Sequence, residues 1–132
     1  MARRKTTLVL RTCTAEMKAH SGFVWPESGP VECPDWNPEP VCGAGLHGLA
    51  WGVGDGGLLD WSAEAKGLVV EVETGLLVDL QGKVKFPRGV VVFCGSLSDA
   101  CKYLLERCPK AYREAAVQGL GQATGYSGAA SA

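Results

Sequence analysis

Long apolar runs are missing from this chain. None approaches the ~18 residues of a membrane-spanning helix. Leu8-Val9-Leu10 is followed at once by Arg11, which is too short for the apolar part of a secretory leader. The chain is therefore expected in the cytoplasm, with no membrane partner. An excess of charge is missing too. Lys+Arg 13 against Asp+Glu 14 leaves a net charge of -1, without the electrostatic footprint of a general nucleic-acid binder. The one basic run, Arg3-Arg4-Lys5, reads as a solvated terminus. Paired C-x2-4-C knuckles are absent, which weakens a structural zinc site. No GxxxxGK(S/T) loop exists to cradle a phosphate.

What is present is enough for one domain. The chain has 132 residues, 46% of them apolar, sufficient for a single core. The six cysteines are Cys13, Cys33, Cys42, Cys94, Cys101 and Cys108. An even count invites a disulfide framework, but that inference needs an oxidising compartment. Reduced, mostly buried thiols are expected instead, with a Cys33–Cys42 bridge as the minor option.

The clearest periodicity lies in the middle. "TTLVLRT" (Thr6 to Thr12) reads as a first strand. "LVVEVE", "LLVDL", "KVKF" and "GVVVFC" follow between Leu68 and Cys94, separated by turn residues. Their close spacing predicts an antiparallel meander with one face on the core. Between these regions, five prolines from Pro26 to Pro40 rule out a helix and disfavour a central strand. Trp25 and Trp36 are the expected anchors of that loop. Ser96 and Asp99 form a capping-box-like start for a helix from Leu97 to Arg107, ended by Cys108-Pro109. Ala100, Tyr103 and Leu104 mark its expected inner stripe, with Arg107 as the polar exit. A second helix is expected from Lys110 to Val117. The predicted class is α+β: a meander with one or two C-terminal helices over residues 1–118, followed by a short solenoid-like stub over 119–132.

That last stretch is small and polar. Gly119-Leu120-Gly121-Gln122-Ala123 superposes on Gly128-Ala129-Ala130-Ser131-Ala132 at an offset of nine. Self-similarity at a short period marks solenoid repeats, while the same composition also suits a flexible tail.

The chemistry-bearing candidate is "CGAGLHG", from Cys42 to Gly48. Its glycines let backbone N–H groups approach a ligand, and His47 offers acid/base or metal-ligand chemistry near neutral pH. The competing reading is that the glycines serve tight turns and His47 is a hydrogen-bonded core residue. Cys33, Cys42 and His47 are the zinc candidates, with Cys13 or His20 as a fourth ligand. No cysteine–histidine pair stands out as catalytic, and the expectation is that the chain is not an enzyme and carries no cofactor. Lys83, Lys85 and Arg88 are expected to form a small basic edge, through cross-strand ion pairing or edge protection.

A family resemblance runs through these segments. "RTCTAEMKAHSGFVWPESGPVECPDW", "CGAGLHGLAWGVGDGGLLDWS", "LVVEVE", "VDLQGKVKFPRGVVVFCG" and "ATGYSGAASA" resemble bacterial N-terminal domains that precede Thr/Ala/Gly-rich, ice-nucleation-like repeat arrays. The resemblance covers Arg11 to Ala132. It implies a globular domain joined to a β-solenoid, and this chain stops where such an array would open. It further implies a non-enzymatic capping or assembly role, through self-association or contact with a downstream array. The junction would then fall on Gly119, Ala123, Thr124, Gly125, Tyr126 and Gly128. The alternative is a small-ligand or enzymatic domain built on the "CGAGLHG" turn.

Overall fold

The computed structural model describes residues 5–19 and 22–124. Seven strands form one antiparallel sheet: β1 (Thr6–Cys13), β2 (Gly29–Glu32), β3 (Leu46–Ala50), β4 (Lys66–Glu73), β5 (Val78–Asp79), β6 (Val84–Phe86) and β7 (Arg88–Ser96). Two helices close the described chain, α1 (Leu97–Arg107) and α2 (Lys110–Thr124). The class is α+β.

The strand order is β2-β7-β4-β1-β3-β6-β5, which corrects the expected meander. β4 pairs with β7 and β1, whereas the β5–β6 hairpin sits at the far edge beside β3. The reason lies in the central strands. β1 and β4 are apolar on both faces and register Val9 against Val70 and Leu10 against Val69. They must sit in the middle of the sheet, so the shorter strands are displaced outward.

Alternation along these strands feeds two cores. Val9, Leu68, Val70 and Val72 face the proline-rich loop, meeting Trp25, Val31 and Phe86. Leu8, Leu10 and Val69 face the helices, meeting Leu97, Cys101, Leu104 and Leu120. Strand β2 forms inside the proline-rich segment, but on the sheet edge, where Pro30 costs no ladder bond within the sheet.

Helix α1 begins where its cap places it. The Ser96 hydroxyl accepts a hydrogen bond from the Asp99 N–H at 3.0 Å, satisfying one of the free donors of the first turn. Its buried stripe is Leu97, Ala100, Cys101, Leu104 and Leu105, the i, i+3, i+4, i+7, i+8 pattern of a core-facing helix. Tyr103 is thus displaced from the expected stripe. Tyr103 stacks on Phe93 at 5.0 Å between ring centroids, and the Arg107 guanidinium lies 3.6 Å over the Tyr103 ring.

Helix α2 is longer than expected. It passes through Val117 and Gly119 to Thr124, so the boundary expected at 118/119 falls inside a helix. Gly119, Ala123 and Thr124 are therefore helical, not strands or coil corners; Gly125, Tyr126 and Gly128 lie outside the described residues. The helix continues because Ala116 and Leu120, four residues apart, are both fully buried. A helical glycine costs ~1 kcal/mol, and burial of Leu120 contributes ~2 kcal/mol against it. Its seat is Gly52, which has φ +74°; a Cβ there would come within 2.7 Å of Leu120 Cδ1 and Leu104 Cδ2. The glycine-rich stretch after β3 is, at this point, a docking platform for α2. Trp51 continues that platform by stacking on Tyr112, with centroids 6.3 Å apart.

Candidate functional site

A cavity of about 720 Å³ opens beside the "CGAGLHG" turn, with Arg11, Trp25, Asp35, Cys42, His47 and Lys83 on its walls. Its size falls within the range of small-molecule sites. Strands β1 and β3 line it with Arg11, Thr12 and Leu46 to Leu49. β3 and β6 pair His47 opposite Lys85 and Leu46 opposite Phe86. The loop after β2 folds over them, bringing Trp36 and Cys42 to the same side.

Three cations gather here. The Arg11 guanidinium donates to the backbone carbonyls of Thr12 (3.0 and 3.2 Å) and His47 (3.0 Å), and stacks 4.4 Å from the Trp25 ring centroid. Burial lowers its pKa to about 10, so it stays charged at neutral pH. Lys85 is fully buried. Its Nζ donates to the carbonyls of Val41 at 2.8 Å and Gly43 at 3.4 Å and lies 5.5 Å from the Trp36 centroid. Lys83 Nζ donates to Cys42 Sγ at 3.1 Å. Among the described residues, no carboxylate lies within ion-pair distance of any of the three. The expected ion-paired basic edge is thus corrected. Lys85 turns inward, held by carbonyls and an aromatic face, and only Arg88 keeps a carboxylate opposite it, through the Glu32↔Arg88 register.

His47 is half-buried, and its Nε2 accepts the Gly43 N–H at 3.3 Å. Burial, followed by Lys83, Arg11 and Lys85, lowers its pKa to about 4. It is neutral at pH 7 and closes a turn. That pKa is too low for the acid/base role near neutrality that the sequence suggested.

All six cysteines are free thiols, so Cys33 and Cys42 are unbridged. Cys13, Cys33, Cys101 and Cys108 are buried and Cys94 is half-buried. Burial pushes all five pKa values up. Cys42 alone is exposed, and its pKa is pushed down by the hydrogen bond from Lys83, then by the charges of Lys83 and Lys85. The structure thus singles out one thiol that composition could not. The zinc candidates do not converge: among the described residues no group of three His, Cys, Asp or Glu side chains could hold a metal ion. His20, the optional fourth ligand, lies outside the described residues. Arg11 was missed as a site residue. The signal available for the lysines was their i, i+2 spacing, which puts Lys83 and Lys85 on one face of a strand.

Comparison with known proteins bears on the family rather than on this cavity. An ice nucleation protein of Xanthomonas campestris pv. translucens is 42% identical over 104 residues, which is 77% of this chain and 7% of that protein. An ice nucleation protein of Pseudomonas fluorescens is 44% identical over 105 residues, 78% of this chain and 9% of that protein. The chain carries an ice-nucleation-like N-terminal domain. The ice nucleation protein InaU of Pantoea ananas is also similar, at 39% identity over 100 residues, 74% of this chain and 10% of InaU. The chain thus spans a tenth or less of the length of these relatives. No family model and no solved structure matches it. Among the described residues no helix is long and apolar enough to cross a membrane.

Proposed function

We propose that this ice-nucleation-like domain is a non-enzymatic cap for the first coil of a Thr/Ala/Gly-rich repeat array, and that it governs self-association of that array. The observation that carries the reading is the similarity over about three quarters of the chain to much longer ice nucleation proteins. A solenoid exposes unpaired backbone groups at its ends and needs a cover there. The junction residues of this reading are Gly119, Ala123, Thr124, Gly125, Tyr126 and Gly128. The first three continue α2 toward the array, and the last three begin it.

The test fuses the domain to a repeat array and compares that protein with the array alone and with a fusion lacking residues 121–132. Size-exclusion chromatography with light scattering reads assembly, and droplet freezing reads array function. The full fusion is expected to form particles of one defined size. The bare array and the deletion are expected to be heterogeneous. Identical size distributions and freezing temperatures for all three proteins would overturn the proposal.

A further inference from the structure

The proposed capping role makes no use of the cavity beside His47, yet that cavity combines features that core packing does not require. Its walls carry Arg11 and Lys83, with Lys85 just behind, and no carboxylate neutralises them at ion-pair distance among the described residues. Asp35 is the acidic side chain on the same wall, so the local balance stays positive. Phe23 and Trp25 supply apolar surface, and Trp25 Nε1 is a buried donor without an acceptor. Unpartnered donors are uncommon in protein interiors, since each costs ~1–3 kcal/mol. At the rim stands Cys42, exposed, with Lys83 Nζ 3.1 Å from its sulfur.

We propose that this cavity receives a small anionic disulfide of the glutathione class and that Cys42 forms a mixed disulfide with it. The Cys42 thiolate attacks one sulfur of the disulfide. A Cys42–sulfur bond forms, the original sulfur–sulfur bond breaks, and the second half leaves as a thiolate that takes a proton from solvent. The incoming disulfide is the oxidant, so electrons balance without a further reagent. Lys83 stabilises the attacking thiolate and, with Arg11 and Lys85, attracts the carboxylates of the reagent. The other five thiols are buried or half-buried and hold their protons, so they do not compete.

The experiment uses the reduced full chain with oxidised glutathione, and with cystamine as a cationic disulfide of similar reactivity. Adducts are mapped by mass spectrometry, and the rate ratio of the two reagents is compared with that of the urea-unfolded chain. In the native protein the adduct is expected on Cys42 alone. The ratio should favour glutathione by on the order of tenfold over the unfolded chain and should fall with added salt. Lys83→Gln should slow the glutathione reaction by on the order of tenfold, with an unchanged circular dichroism spectrum. S-methylglutathione, which cannot exchange, should slow alkylation of Cys42 by neutral iodoacetamide. A ratio equal to that of the unfolded chain, an adduct on another cysteine, or no protection by S-methylglutathione would each overturn the proposal. So would a Cys42-linked dimer forming faster than the adduct, which would make a second copy the partner instead.

Discussion

Stability of this domain should fall between pH 6.5 and about 4 because of a single imidazole. In the folded chain burial and the charges of Lys83, Arg11 and Lys85 lower the His47 pKa from 6.5 to about 4. The unfolded chain therefore binds the proton more readily across that interval. Stability from this group is fully present above pH 6.5 and is lost as pH falls toward 4. The full shift corresponds to about 3 kcal/mol. His47 is only half-buried, and solvent screening reduces the expected contribution to about 1–2 kcal/mol. The control is His47→Gln, which keeps an acceptor for the Gly43 N–H but does not titrate. Urea unfolding under reducing conditions should be followed for both proteins at half-unit steps from pH 7.5 to 4. Other groups that titrate in this range are common to both proteins. The difference between the two curves then isolates position 47. It should change by about 1–2 kcal/mol, with the native protein losing more. A difference constant within about 0.3 kcal/mol would refute the assignment of a buried, charge-flanked imidazole.

Two further outcomes test the packing. Gly48→Ala should destabilise by about 3 kcal/mol in urea unfolding, because the new Cβ would overlap Val9 Cγ1 and lie 2.7 Å from the Leu10 carbonyl oxygen. Ser96→Ala should cost about 1 kcal/mol through loss of the α1 cap, and Ser96→Asp should restore most of it, both read as shifts of the urea midpoint.

Local signals were legible in the sequence and non-local ones were not. Helix α1 was readable to the residue because its cap and its stop, Ser96 and Cys108-Pro109, are chemical events within the chain itself. β1 and β4 to β7 were readable as apolar runs, whereas β2, inside the proline-rich loop, and β3, inside the glycine-rich stretch, were not. The strand order was not readable either, because β4 chooses β7 and β1 through burial of both its faces, a property of the assembled sheet. α2 was read short because Gly119 and Gly121 resemble a stop signal. What overrides them is Leu120 seated on Gly52, two positions 68 residues apart. The candidate site divides the same way. "CGAGLHG" was visible, but the cluster depends on His47 facing Lys85 across β3 and β6 and on Arg11 arriving from β1. Without that register the two lysines read as a solvent edge and all six thiols read alike.

The sheet edges bear on where a cap makes its contact. Among the described residues the two edges are β2 and β5. β2 has four residues and carries Pro30, which lacks a backbone donor, and Glu32, which is exposed. β5 has two residues and ends in the exposed Asp79. Short length, proline and charge are the devices by which proteins discourage strand addition. An array is therefore poorly served by growing from this sheet. The opposite side offers a different connection. α2 is fastened at Ala116 and Leu120, both fully buried, against a platform formed by Trp51 and Gly52. Under the proposed capping role, an array joined to that helix would start from an anchored point, which a flexible linker would forfeit. Under that proposal α2, rather than any free strand of the sheet, would set the register of an attached array.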